Sequence, residues 1–224
     1  MVDIVSNIRL LRQGIPSSVK IVAVSKTKPV EDILAAYEAG QRIFGENRVQ
    51  ELISKREILP GDIEWHLIGH LQTNKVKQLI PHIGMIHSAD SQKLLEVIDM
   101  ESGKASRTTD CLLQFHIARE ETKSGLTIDE AIGILSSPAF ARLKAVRICG
   151  VMGMATYSGD NELIRSEFRN LRKYFIQLKE RFFPDNSSFR EISMGMSGDY
   201  RIAIEEGATI IRIGSLIFGE RGKD

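Results

Sequence analysis

Cysteine is scarce in this sequence, with only two among 224 residues, Cys111 and Cys149, each inside an apolar run. A thiol so placed behaves as a small buried hydrophobe, so no disulfide is expected and the compartment reads as reducing, most simply the cytosol. No stretch comes near the roughly 20 apolar residues of a membrane span. The N-terminus carries Asp3 early and lacks an apolar run ending in small residues, so it does not read as a signal peptide. Neither sign of charge dominates: 30 Lys plus Arg against 29 Asp plus Glu leave a net charge of +1, which gives no general attraction to nucleic acid or membrane. A Walker loop, a nucleophile elbow and a Cys-x-x-Cys pair are all missing, which disfavours nucleotide hydrolysis, serine hydrolysis and thiol redox chemistry.

What is present is a repeated alternation of short apolar runs and longer segments with helical spacing. After a helix-like stretch from Ile4 to Leu11, eight strands are expected: Ile21–Ser25, Arg42–Gly45, Trp65–Ile68, Met85–Ser88, Cys111–Ile117, Ala145–Val151, Glu191–Met194 and Thr209–Ile213. Helix starts are signalled at Lys28–Asp32, Thr73–Lys75, Ser91–Lys93, Thr127–Glu130 and Ser197–Asp199. Strict alternation implies parallel strands with right-handed crossovers, and eight such units close into a (β/α)8 TIM-type barrel. An open doubly wound sheet is the competitor; against it, no Gly-rich dinucleotide fingerprint follows the first strand. No repeat, low-complexity segment or linker divides the chain, so one domain over residues 1–224 is expected, with an extra N-terminal helix.

A barrel builds its site where strands end, so polar residues there carry the functional argument. Lys26 follows Ile21-Val22-Ala23-Val24-Ser25, and a period of two puts it on the face of Val22 and Val24. It reads either as a lysine reaching solvent or as an amine able to form a Schiff base with an aldehyde. Lys28 is a loop lysine able to tune that amine. Arg212 sits among β-branched residues in the last strand, and a buried guanidinium needs a partner. That partner is a carboxylate such as Glu46 or Glu220, or else a ligand phosphate or ring. Met194-Gly195-Met196-Ser197-Gly198-Asp199 after strand seven and Gly214-Ser215 after strand eight offer Gly and Ser at helix starts, where an anion is favoured. Further polar residues cluster on the second and third loops: Glu46, Asn47 and Gln50, then His66, His70, Gln72, Asn74 and Lys75. His66 and His70 are four apart, but Gly69 breaks any helix between them, so a zinc site is not expected.

Taken together, Ala23-Val24-Ser25-Lys26-Thr27-Lys28-Pro29, Phe44 through Glu51, Trp65 through Lys75, Met194 through Asp199, and Arg212-Ile213-Gly214 with Ile217-Phe218-Gly219 resemble the pyridoxal phosphate homeostasis protein family. The resemblance runs over nearly the whole chain in the right order. It implies the barrel of the alanine racemase N-terminal domain, pyridoxal 5′-phosphate (PLP) as cofactor, and Lys26 as the lysine that holds it as a Schiff base. By position it implies Ser197, Gly198, Gly214, Ser215 and the Ser193–Gly198 loop, with Met194, around the phosphate. Arg212 would lie at the phosphate or pyridine side, with Asn47 and His70 at the border. Gly198 stands where many relatives have Ala, and the Ser158-Gly159-Asp160-Asn161 segment is shorter than in some.

The function so implied is vitamin B6 homeostasis, as a carrier without established catalysis and as a cytoplasmic monomer. Its partners would be PLP and apo PLP-dependent enzymes, with no nucleic acid or membrane. The alternative is a PLP-dependent amino-acid racemase or decarboxylase. A racemase of the alanine type sets a lysine and a tyrosine on opposite cofactor faces and closes its site with a second domain. Here the sequence ends at Asp224 soon after the eighth strand, so none is expected, and Tyr157 and Tyr200 are the tyrosines near strand-end loops. A ligand-free interaction module would leave Lys26 and Arg212 unexplained.

Overall fold

The computed structural model describes residues 2–119 and 124–220. Eight parallel strands close into a barrel in sequence order: β1 (Lys20–Val24), β2 (Ile43–Glu46), β3 (Glu64–Leu67), β4 (Met85–Ala89), β5 (Thr109–Phe115), β6 (Val146–Gly153), β7 (Glu191–Ser193) and β8 (Ile210–Ile213). Pairing of β1 with β8 completes the ring, with Val22 beside Arg212. All eight expected strands are found, with ends differing by one or two residues in most cases. The open-sheet competitor is thereby excluded.

Around the barrel run α1 (Ile4–Gly14), α2 (Val30–Glu38), α3 (Val49–Arg56), α4 (Val76–Leu79), α5 (Gln92–Lys104), α6 (Ile128–Leu135), α7 (Pro138–Ala141), α8 (Asn161–Phe182), α9 (Tyr200–Glu205) and α10 (Ser215–Phe218). Local chemistry explains their starts. Asp3 caps α1, Ser91 caps α5, and Thr127 with Glu130 forms a reciprocal capping box at α6. The segment from Thr73 is not one helix. It is a 3-10 turn, the single turn α4 and a second 3-10 turn at Ile80–His82, because Pro81 has no N–H to continue an α-helix.

Alternation along each strand sorts side chains into two cores. Phe44, Trp65, Leu67, Ile86, Leu113, Ile211 and Ile213 face outward and pack with the helices. Val22, Met85, Leu112, Cys149, Met152 and Ile210 fill the barrel interior. Burying one such aliphatic or aromatic side chain stabilises by about 1.5–3 kcal/mol, so the two cores together dominate the driving force. Both cysteines are free and buried, as their apolar surroundings imply. Cys149 points inward because β6 bulges there. The register shifts between Cys111 and Leu112, and Gly150, at φ 152°, brings its backbone so close to Glu191 that an added Cβ would lie 1.8 Å from the carbonyl oxygen.

Candidate functional site at the barrel mouth

A cavity of about 740 Å³ opens at the C-terminal ends of the strands, and Lys26, Asn47, His70, Ser197, Gly198, Arg212, Gly214 and Ser215 all line it. Its wall includes Val24, Ile68 and Met154, an apolar lining with convergent polar groups, as ligand sites have. A smaller hollow of about 360 Å³ lies around Arg12, Gln41 and Arg42. It offers less chemistry: the Arg12 guanidinium is already engaged by the Gly40 carbonyl at 2.8 Å and by Gln41 at 3.3 Å.

Lys26 reaches the mouth because Val22 and Val24 share its face: Val22 is in the barrel interior and Val24 lines the cavity. Both chain neighbours of Lys26 are pinned. Below it, the Ser25 hydroxyl donates to Glu46 Oε1 at 2.6 Å, and Lys55 Nζ donates to the Ser25 carbonyl at 2.7 Å. Above it, Thr27 adopts a left-handed conformation, φ 65°, with its N–H donating to Glu51 Oε1 at 2.5 Å. A β-branched residue rarely visits that region, at a cost of about 1–3 kcal/mol, so the surroundings must hold it there. Lys55 ties the arrangement together, reaching Glu46 at 2.8 Å and Glu51 at 2.7 Å.

Glu46 therefore lies beneath the site rather than in it. Burial pushes its carboxyl above the ordinary value despite the bonds from Lys55 and Ser25, and its Oε2 has no partner among the described residues. For the more exposed Glu51, burial also acts upward, but the Lys55 and Thr27 donors outweigh it and hold the carboxyl below its usual value.

Arg212 is buried, yet neither of the carboxylates considered as partners meets it. Its NH1 donates to Ser193 Oγ at 2.6 Å and its NH2 to the Gly153 carbonyl at 3.0 Å. Burial lowers its pKa to about 10, opposed by the field of Asp199. A guanidinium has five N–H donors, so these two bonds leave donor capacity at the cavity it lines.

The loops after β7 and β8 lie side by side, with the Gly214 N–H donating to Ser197 Oγ at 3.3 Å. The N–H groups of Ser197, Gly198, Ser215 and Leu216 donate to no acceptor among the described residues. The helices here are short, six residues for α9 and four for α10, so the anion-attracting feature is this set of backbone donors, two in the β7 loop and two opening α10, rather than a helix dipole. Met194 corrects one expectation. Inward Ser193 leaves the next side chain facing out, and Met194 is fully buried in the outer core, while Met196 lines the cavity instead.

His70 is exposed at the rim, its Nδ1 3.3 Å from Asp90. Asn47 lines the wall where the β2 and β3 loops touch so closely that a Cβ on Gly69 would lie 2.5 Å from the Asn47 carbonyl oxygen. Lys28 also lines the cavity and donates to the Phe218 carbonyl at 2.9 Å. Lys75 is not among the lining residues. Lys123 lies outside the described residues. Sequence reasoning missed Lys55, buried on the apolar side of α3, and His87, buried in β4. The one signal for His87 was a polar residue two positions from inward Met85.

Closed parallel topology, a lysine just beyond β1 at the mouth and a donor-lined cleft beside the β7 and β8 loops define a ligand-holding barrel of the alanine racemase type. Residues 2–222 match the family model "Alanine racemase, N-terminal domain". Curated relatives named pyridoxal phosphate homeostasis protein include that of Aquifex aeolicus, 40% identical over 90% of this chain and 87% of the relative. That of Synechocystis is also 40% identical, over 92% and 94%. Among solved structures, PipY of Synechococcus elongatus with PLP bound superposes with a TM-score of 0.88 at 37% identity, covering 96% of this chain and all (100%) of PipY. Alanine racemase from Bartonella henselae, at 16% identity and a TM-score of 0.71, shares the fold over 99% of this chain and 61% of its own length. The chain belongs to the pyridoxal phosphate homeostasis protein family.

Proposed function

We propose that this chain binds PLP at the barrel mouth, carries it on Lys26, and serves vitamin B6 homeostasis as a carrier rather than as an enzyme with sustained turnover. The observation that carries the reading is the placement of Lys26 on the inward face, at the edge of a cavity whose polar groups are mostly donors. That donor set fits the cofactor: an amine for the aldehyde, and loop N–H groups with two hydroxyls for a phosphate dianion. Asp199 is the lining carboxylate, and one of its oxygens is occupied by the Met196 N–H.

In this reading the Lys26 amine bonds to the aldehyde carbon with loss of water, and the clamp on Ser25 and Thr27 fixes where that amine stands. Ser197, Gly198, Gly214 and Ser215 hold the phosphate. Arg212 supplies a fixed positive charge, and Asn47 and His70 border the ligand. When bound, PLP supplies an electron sink, which a carrier keeps unused. The chain acts as one cofactor-binding domain, a cytoplasmic monomer whose partners are PLP and apo PLP-dependent enzymes. No described helix is long and apolar enough to cross a membrane.

Borohydride reduction of the loaded protein followed by peptide mass mapping tests the attachment. Modification at Lys26, and loss of the visible band in Lys26→Ala, are expected. A peptide modified at Lys28, Lys75 or Lys123 with Lys26 untouched overturns it. Incubation with common amino acids tests the carrier role: racemised or decarboxylated product at about 1 per second or faster, abolished by Lys26→Ala, would establish an enzyme instead.

A further inference from the structure

Inside the barrel, a line of polar side chains runs away from Arg212. Ser193 Oγ accepts from Arg212 NH1 at 2.6 Å and lies 3.0 Å from His87 Nδ1. His87 Nε2 lies 2.9 Å from His66 Nδ1, and His66 Nε2 lies 2.8 Å from Glu64 Oε1. Ser193, His87 and His66 are buried, whereas the Glu64 side chain, at the N-terminal start of β3, is 52% exposed. Five residues from β3, β4, β7 and β8 thus connect solvent at the barrel's base to the guanidinium at its mouth.

The chemistry of the two ends dictates the direction of every bond between them. Arg212 can only donate, and an ionised carboxylate can only accept. His66 holds the Glu64 carboxyl below its ordinary value, so Glu64 is that acceptor. Burial, helped by the fields of His66, Arg212 and Lys20, keeps His87 neutral, so it has one donor and one acceptor nitrogen. If His87 donated from Nδ1, Ser193 Oγ would receive two donors and its own proton would have no acceptor among the described residues. A neutral His66 would then turn a lone pair toward the Glu64 carboxylate. The arrangement that pairs every group with both imidazoles neutral is Arg212 to Ser193 to His87 to His66 to Glu64.

We propose that Glu64, His66, His87 and Ser193 form a directed hydrogen-bond chain through the barrel that positions Arg212 and couples the cofactor end of the site to the exposed carboxylate at the opposite face. His66 and His87 are positioning residues in this scheme, since neither lines the cavity. The coupling to cofactor rests on the reading above; the chain itself does not.

Long-range 1H–15N NMR of the histidines in cofactor-free protein reads the chain directly. Both His66 and His87 are expected as Nε2–H tautomers near neutral pH. Glu64→Lys places a donor-only group where an acceptor stood and should reverse both tautomers, whereas Glu64→Gln, which keeps a carbonyl acceptor, should not. In the PLP-loaded protein the visible band should shift for Glu64→Lys and return to the wild-type position in Glu64→Gln. An Nδ1–H tautomer at His87 in the wild type overturns the proposal, as do tautomers indifferent to Glu64→Lys. Reversed tautomers with an unmoved band overturn the coupling. Failure of the wild type to take up PLP would sink the function proposed above while the tautomers still decide the chain, and the wild-type spectrum decides it even if Glu64→Lys does not fold.

Discussion

Removing the Lys55 ammonium would leave Glu46, fully buried at its side chain, without its cation. Breaking a buried pair from one side costs about 3–5 kcal/mol, and Lys55→Met is expected to lose that much in urea unfolding at neutral pH. Glu46→Gln introduced on the same background should recover part of it, because a neutral amide no longer demands the charge. A second residue-scale test concerns Ser197, whose hydroxyl faces the cavity while accepting from Gly214. Losing one hydrogen bond to a charged group weakens binding by roughly 1.5–3 kcal/mol. Ser197→Ala should therefore raise the Kd for PLP by about tenfold or more and leave that for unphosphorylated pyridoxal nearly unchanged. Equal losses for the two ligands, read by fluorescence titration, would place the phosphate elsewhere.

The element most exposed to perturbation is α9, which follows the β7 loop and has only six residues. It is too short to be stable alone, and a buried carboxylate just after it anchors it to α8. Arg165 NH1 donates to Glu206 Oε1 at 2.8 Å, Arg169 Nε to Glu206 Oε2 at 3.1 Å, and Arg165 NH2 to Glu205 at 2.6 Å. Burial alone would raise the Glu206 carboxyl, but the two arginines outweigh it and hold it below the usual 4.5. A depressed carboxyl contributes stability that is fully present above its unfolded value and lost as pH falls through the folded one. Glu206→Gln is accordingly expected to cost about 1–2 kcal/mol at pH 7, discounted for the part-exposed arginines. The gap between variant and wild type should close as the pH drops below about 4.5, measured by urea midpoints across that range. A gap that widened on acidification would contradict the ion-pair account.

At the scale of the whole molecule, ligand binding and folding are linked, because the cavity exists only once all eight strands have closed. PLP at about a hundred times its Kd should add about 2.7 kcal/mol, which for a chain of this size raises the midpoint of thermal unfolding by roughly 5–10 °C. Lys26→Ala should retain only the smaller shift from the phosphate contacts. Scanning calorimetry with PLP, with pyridoxal and with inorganic phosphate separates the contributions, and an identical shift for Lys26→Ala would mean that Lys26 is not the attachment point.

The sequence by itself determined the elements and the facing of their residues. Period-two alternation is local, so Val22, Val24 and Lys26 could be assigned to one face before any tertiary contact was known, and eight apolar runs separated by helical segments left few topologies open. The mouth residues Ser197, Gly198, Gly214 and Ser215 were legible for the same reason: each sits at the end of a strand that the pattern had already placed. Only the tertiary structure decided which inward residues meet. His87 and Ser193 are 106 positions apart, and Ser25 and Lys55 are 30 apart. Contacts of that kind depend on the stagger with which the barrel closes, a property no single strand carries. For that reason Arg212 lies against a serine and a carbonyl rather than against either carboxylate, Glu46 or Glu220, that stood as one of its two alternatives, and Glu46 lies under Lys26 rather than beside a ligand.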